Sequence, residues 1–390
     1  MTKTQFRADT QGCHDQIFLN SAGSSLMPKV AIEAMVDYLR EENLVGGYEF
    51  ATQKTKSFSR FYDEVAILLN CRPENIAFAN SATDAFARAL SAINFQENDV
   101  VLTTTDDYVS NQIAFLSLEK RFKIKLIRSK KLSNNEIDFD HFENLITTYK
   151  PKLVAATHIP TNTGLVQNVT EIGKMCQKHN ILFLLDACQA VGQINVDVQA
   201  IKCDFLTATG RKFLRGPRGT GFLYVSDKVL KMGLEPLFID LNGANWTLPN
   251  TYQAIDGAQR FQFWEMPHAA IAGFTATLHY LNQIGIQEIE KINMELSCYF
   301  RKKLAEIDTI KLLDFGLHLS NIITFCHQTK SLASIENILK NNKICYSVAT
   351  KNNAIIDFEA KNVEWAIRFS PHYFNTFQEI DFVVSVLKSM

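Results

Sequence analysis

Ile181-Leu-Phe-Leu-Leu185 is apolar at every position and runs straight into Asp186-Ala-Cys-Gln189. A short apolar run without alternation suits a strand buried on both faces, as at the centre of a parallel sheet. Outward from it, residues 75–225 alternate β-rich runs with helical patterns. Strands are expected at Asn75–Ala79, Asp99–Thr103, Ile124–Ile127, Leu153–Thr157, Ile181–Leu185, Phe205–Thr207 and Gly221–Val225. Helices such as Ala82–Ile93, Asn111–Lys120 and Val169–His179 fall between them. Strand-helix-strand repetition predicts an α/β fold, with a mostly parallel sheet covered by helices on both faces.

The flanks organise around this block. Pro28–Leu44 reads as one amphipathic helix, with its proline in the first turn, where a missing N–H costs nothing. Ala270–Ile307 reads as helices on either side of Gly285. Strand-like Asn321–Phe325 and Trp365–Phe369 precede a last helix near Gln378–Leu387. The expected division is an N-terminal arm (1–27), a large domain (28–260), and connecting helices with a smaller α+β domain (261–390).

Composition narrows the class. Lys plus Arg number 40 against 41 Asp plus Glu, so charge gives no reason to expect nucleic acid or a membrane surface as partner. The N-terminal segment has no apolar core of a secretory signal, and no apolar run approaches the ~18 residues of a membrane span. The eight cysteines form no CxxC pair in a chain too long to need disulfides, which suggests reduced thiols in the cytoplasm. The nine histidines show no HxH or HExxH spacing, so no metal site is expected.

In open α/β sheets ligands bind beyond the carboxyl ends of the strands, so reactive residues at those ends are the candidates. Asp186 closes an all-apolar strand and there needs a cation or several donors. A protonated pyridine nitrogen is such a cation, and a helix cap or structural ion pair would serve equally well. Lys212 follows the next strand, beside Arg211 and within Gly210–Gly221. Neighbouring cations favour the neutral amine that imine formation requires, although most loop lysines are merely solvated. A phosphate loop is rejected, because Gly221 is followed by Phe222 rather than Lys-Ser/Thr. Asn80-Ser-Ala-Thr-Asp84 joins strand to helix, so its N–H groups and hydroxyls offer either a phosphate cradle or simple caps. Tyr108 opens another helix, where its ring could stack on a planar group or pack.

Taken together, these segments resemble the class V aminotransferase and cysteine desulfurase family of fold-type I enzymes that depend on pyridoxal 5'-phosphate (PLP). The resemblance runs over almost the full length. It rests on Thr209-Gly-Arg-Lys212 through Gly221-Phe-Leu-Tyr224, Thr157-His-Ile-Pro-Thr-Asn162-Thr-Gly164, Asp186-Ala-Cys-Gln189, Arg368-Phe-Ser-Pro-His-Tyr-Phe-Asn375, Asn20-Ser-Ala-Gly23 and Gly46-Gly-Tyr48. It implies that Lys212 carries PLP as a Schiff base and moves the Cα proton, while Asp186 pairs the pyridinium. Gln189 and Asn162 would bond the ring oxygen, Tyr108 would stack on the ring, and Ser81, Ala82, Thr83 and Thr209 would bind phosphate. Arg368 would clamp the substrate carboxylate, with Asn162 nearby, and Gly47 and Tyr48 would reach a partner's site in a homodimer.

The departures from the family pattern bear on the reaction. Desulfurases have His where Arg211 and Tyr108 stand, and Arg211 would add charge at the phosphate. The family's partner-subunit Gly-Thr phosphate contact is not evident in Arg260–Pro267. The desulfurase nucleophile is a cysteine on a mobile loop before the Arg segment. Here Cys345 is the only thiol in that stretch, and it lies in a strand-like alternation. Both Cys345 and Cys188 read first as packing residues. The expected activity is therefore a C–S lyase performing β-elimination on a cysteine-derived amino acid. An aminotransferase, an epimerase or a cysteine desulfurase on the same scaffold is the alternative.

Overall fold

The computed structural model describes residues 2–390, the side chains at positions 56 and 57 excepted. At its centre stand seven strands: β1 (Ile76–Ala79), β2 (Val100–Thr103), β3 (Lys125–Arg128), β4 (Leu153–Thr157), β5 (Leu182–Asp186), β6 (Phe205–Thr209) and β7 (Gly221–Val225). They are hydrogen-bonded in the order β1-β7-β6-β5-β4-β2-β3. Only β7 runs antiparallel to its neighbours. The mostly parallel seven-stranded sheet expected from the sequence is therefore present.

The residues explain the order. β4, β6 and β7 are buried at every position and β5 at all but its first, as a sheet covered on both faces requires. β3 begins and ends in the charged Lys125 and Arg128 and has no fully buried residue, so it suits the edge. β4 leads to β5 on one side and β2 to β3 on the other. The crevice between β2 and β4 is thus the switch point where such sheets bind ligands.

Four more strands, β8 (Ile310–Leu312), β9 (Ile323–His327), β10 (Ser347–Thr350) and β11 (Trp365–Phe369), form a second, antiparallel sheet in the order β8-β9-β11-β10. Its core is filled by Leu296, Phe300 and Leu304 from the helix Ile286–Ala305 and by Ile380, Val383 and Leu387 from Phe377–Lys388. Gly285, at φ +88°, separates Ile286–Ala305 from the preceding helix His268–Ile284, a backbone conformation that glycine adopts freely. Ile17–Phe18 pairs in parallel with Ile344–Cys345, and Asn20 bridges to Ser370, so the N-terminal segment docks against the C-terminal sheet.

Some boundaries differ from expectation. β9 starts at Ile323 rather than Asn321, because the backbone N–H groups of Asn321 and Ile322 are spent on Gln193 Oε1 (3.0 Å) and Ser320 Oγ (3.2 Å). β5 includes Asp186, whose backbone pairs with Thr157 and Thr207. A helix at Thr55–Leu69 and an exposed hairpin of Ala244–Leu248 and Thr251–Ala254 are additional elements.

The loop after β6 is fastened from three directions. Arg215 sits at φ +60° with its side chain fully buried. It donates from Nε to the Leu26 carbonyl (2.8 Å), from Nη1 to the Tyr373 hydroxyl (2.6 Å) and from Nη2 to Thr10 Oγ1 (2.6 Å). His372 lies between the Phe213 carbonyl (2.9 Å) and the Asn293 side chain (3.2 Å). Burial, with Arg215 adding to it, pushes the His372 imidazole down to about 3. The folded state therefore resists a proton that the unfolded chain accepts below its ordinary value near 6.5, so stability is lost as pH falls from there. Between pH 6.5 and 4 this histidine should withdraw about 3 kcal/mol. Urea unfolding at the two pH values should register that loss, and the pH slope should shrink in His372→Asn. An equal slope in the variant would contradict the assignment.

Candidate functional site

The carboxyl ends of β2, β4, β5 and β6 converge on one cavity that is open to solvent on one side. Ser81, Ala82, Thr83, Tyr108, Asp186, Gln189, Thr209, Arg211 and Lys212 all line it, joined by Cys188, Asn111, Thr157 and Thr161. Nine candidates drawn from separate stretches of sequence thus meet in one place.

Asp186 is 4% exposed. Its Oδ2 accepts from Asn111 Nδ2 at 2.9 Å and its Oδ1 from the Cys188 N–H at 2.9 Å. Burial raises its affinity for a proton, and these donors and the Lys212 charge oppose that shift only in part. A carboxylate so placed calls for a further cation. Asn111 is itself held by Asp107, at 3.0 Å. Asp107 also accepts from the hydroxyls of Thr103, at the end of β2, and Thr157, at the end of β4, and so ties the two sides of the crevice. Sequence reasoning assigned no role to Asp107 or Thr157. Asn111 stood in it only as the start of the expected helix Asn111–Lys120, and its spacing three residues beyond Tyr108 was the available signal.

Lys212 is 7% exposed, with Nζ 5.8 Å from the centre of the Tyr108 ring and its charge felt at the Cys188 thiol. Burial is the main cause that pushes that thiol up, which disfavours the thiolate. Ser81 caps the helix Ala82–Ser91, its hydroxyl accepting from the Asp84 N–H at 3.1 Å. That bond uses only a lone pair of the oxygen, so the Ser81 O–H can still donate to an anion beside the Ala82 and Thr83 N–H groups and the Thr83 hydroxyl. Thr209 Oγ1 donates to the Thr220 carbonyl at 3.3 Å. Arg211 donates to the Gly23 carbonyl and brings the Asn20–Gly23 segment against the cavity. Gln189 Nε2 does likewise toward the Ala22 carbonyl (3.1 Å), and its Oε1 is buried without a partner.

Arg368 projects from β11, is 7% exposed and does not itself line the cavity, which it meets through Thr161. Its Nη1 donates to the Thr161 carbonyl (3.1 Å) and to Thr161 Oγ1 (2.5 Å), while Nε is buried without a partner. Burial, aided by Arg211, pushes its guanidinium down to about 10. No acid forms an ion pair with it among the described residues, so it could take a carboxylate from a ligand.

Other candidates lie elsewhere. Asn162 is buried but does not line the cavity, and its Nδ2 donates to Asp357 Oδ2 at 2.7 Å. Gly47 and Tyr48, on the helix Gly47–Gln53, are exposed and away from this cavity. Cys345 pairs into its strand, with Sγ donating to Gln16 Oε1 at 2.9 Å, and does not approach the cavity. Among the described residues no group of three or more His, Cys, Asp or Glu is placed to hold a metal ion.

The donor set suits PLP. An acid that seeks a cation, a buried amine, a helix N-terminus and unpartnered polar atoms at Gln189 and Arg368 match its pyridine nitrogen, aldehyde, phosphate and an amino-acid carboxylate.

Comparison with known proteins agrees. The family Aminotransferase class-V matches residues 17–383. A probable cysteine desulfurase of Methanothermobacter thermautotrophicus is 26% identical, over 100% of this chain and 98% of its own length. Among solved structures, the apo cysteine desulfurase of Thermococcus onnurineus NA1 superposes with a TM-score of 0.91 at 21% identity, covering 99% of this chain and 97% of its own. A cystine C–S lyase in complex with its product cysteine persulfide gives 0.85 at 19% identity, covering 98% of this chain and 99% of its own. With the fold, the cavity and a match over nearly the whole chain in agreement, the protein belongs to the class V aminotransferase family of PLP-dependent enzymes.

Proposed function

We propose that this enzyme cleaves the Cβ–S bond of a cysteine-derived amino acid by β-elimination. The observation that carries this reading is the place of the thiols. All eight cysteines are free, and of them only Cys188 lines the cavity. A desulfurase route needs a thiol that reaches the substrate sulfur. The segment before Arg368 offers none, since Cys345 is paired with Phe18 in a strand and its thiol donates to Gln16 Oε1.

Each residue then has a task. Asp186 receives the protonated pyridine nitrogen, held ready by Asn111 and the Cys188 N–H. The N–H groups at Ala82 and Thr83 and the Ser81 and Thr83 hydroxyls would take the phosphate, with Arg211 and Thr209 beside them. Tyr108 covers the ring, and Gln189 faces its oxygen. Arg368 binds the substrate α-carboxylate through its open Nε edge. When bound, PLP supplies an electron sink for the charge left at Cα. Lys212 would carry the cofactor until the substrate amine displaces it, and its freed Nζ would then take the Cα proton and could return it to the leaving sulfur. The Cβ–S bond breaks with its electron pair on sulfur, and hydrolysis of the remaining fragment yields pyruvate and ammonia.

A second reading, cysteine desulfurase, is favoured by the name of the Methanothermobacter relative, and Cys188 is the thiol it would need. We also infer a homodimer, because Ile32, Val36 and Leu39, spaced i, i+4, i+7 on the helix Lys29–Val45, leave an exposed apolar stripe at 45%, 38% and 52% exposure. No described helix is long and apolar enough to cross a membrane. Eight unpaired cysteines are in keeping with the reducing cytoplasm.

Incubation with cystine and S-substituted cysteines should yield pyruvate, and Cys188→Ala should retain that activity. Alanine as the product, lost in Cys188→Ala, would move the reading to desulfurase. Conversion of the cofactor to its pyridoxamine form would indicate transamination, and racemisation without that conversion an epimerase. Asn111→Ala should weaken PLP binding to the apoprotein about tenfold, the loss of one hydrogen bond to a charged group. Unchanged affinity in a PLP titration would show that Asp186 does not depend on Asn111. Sedimentation should give twice the 44.2 kDa chain mass.

A further inference from the structure

Outside the cavity, four charged side chains meet where the two sheets' loops come together. Lys131 Nζ lies 2.7 Å from Asp106 Oδ2 and 3.8 Å from Asp357 Oδ1, and Lys361 Nζ lies 2.8 Å from Asp357 Oδ2. The acids are 2% and 3% exposed at the side chain, and the lysines 19% and 9%. Asp106 and Lys131 follow β2 and β3 of the large sheet. Asp357 and Lys361 belong to the helix Ile355–Lys361, between β10 and β11 of the small one. Buried ion clusters stabilise little more than apolar packing of the same volume would, so what this one contributes is placement.

What it places is the loop 161–164. Asp357 Oδ2 also accepts from Asn162 Nδ2 at 2.7 Å, and Asp357 is the only hydrogen-bond partner of that side chain among the described residues. A carboxylate can only accept, so the bond fixes which end of the Asn162 amide is nitrogen and leaves its second N–H and its oxygen for other partners. One residue earlier, Thr161 holds Arg368. Two residues later, the Gly164 N–H donates to Asp314 Oδ1 at 3.0 Å, and a Cβ there would meet the Ile322 carbonyl at 2.3 Å. The loop therefore runs along the cavity at Thr161 while side chains from the small-sheet half hold it at three points.

We propose that Asp357 is a positioning residue for amino-acid binding. Docking of the helix Ile355–Lys361 onto Lys131 sets the Asn162 amide, and with it the loop that shares Arg368, where the substrate α-carboxylate is received. This rests on the reading of the cavity as a PLP site for amino acids.

The test is a titration of the holoenzyme with glycine, followed by absorbance of the cofactor, which needs no turnover. Asp357→Asn should weaken glycine about tenfold while the free holoenzyme keeps its spectrum. In an Asn162→Ala background, which is itself weakened, Asp357→Asn should change nothing further, because both act through one amide. Two effects that multiply, or an Asp357→Asn variant that lowers only the melting temperature, would overturn the proposal. If Asp357→Asn does not fold, Asp357→Glu, which keeps the charge but shifts the carboxylate, carries the same expectation. A wild-type spectrum that no amino acid perturbs would instead overturn the functional reading itself, and this inference with it.

Discussion

The carboxylate of Asp186, held at the end of an apolar strand and almost out of contact with water, is the constraint around which the site is built. Burial works against its charge, and two neutral donors with one lysine offset that only in part. The surrounding residues follow from the need to keep this group ionised and aimed. Asn111 is turned toward it by Asp107, and Asp107 is pinned by threonines on both sides of the switch-point crevice. A cofactor that brings a protonated ring nitrogen would complete the charge balance.

Two buried arginines show how the chain separates structure from binding. Arg215 has no acid partner, yet neutral acceptors from the N-terminal segment, the Leu26 carbonyl and Tyr373 occupy three of its nitrogens, and the aromatic faces of Tyr373 and Phe374 lie 5.0 and 4.8 Å away. It closes the lysine loop, and each of its three nitrogens already has an acceptor within the fold. Arg368 is equally buried but bonds only Thr161 and keeps Nε unpaired. An incompletely satisfied buried guanidinium costs stability unless a ligand fills it, which is the arrangement expected of a carboxylate anchor.

Much of this was legible before any coordinates. The apolar run at 181–185 announced a central strand, and the rule that ligands meet strand ends then singled out Asp186 and Lys212. Positions set by several loops at once were not legible. Nothing in the spacing links Thr103, Asp107 and Thr157, since their meeting depends on β2 and β4 being neighbours in the sheet. The sequence places Asn162 at the ring oxygen by resemblance, whereas its amide nitrogen is committed to Asp357, a residue nearly two hundred positions away. The two meanings open at Ser81, cap or phosphate ligand, are compatible, because its oxygen caps by accepting from the Asp84 N–H and keeps its own O–H to donate.

The most direct test of the account is to reduce the purified protein, loaded with PLP, with borohydride and map the modified residue by mass spectrometry. The account predicts one phosphopyridoxyl group, on Lys212, and none in Lys212→Ala. Label on another lysine, or no label after loading with PLP, would contradict the assignment of this cavity.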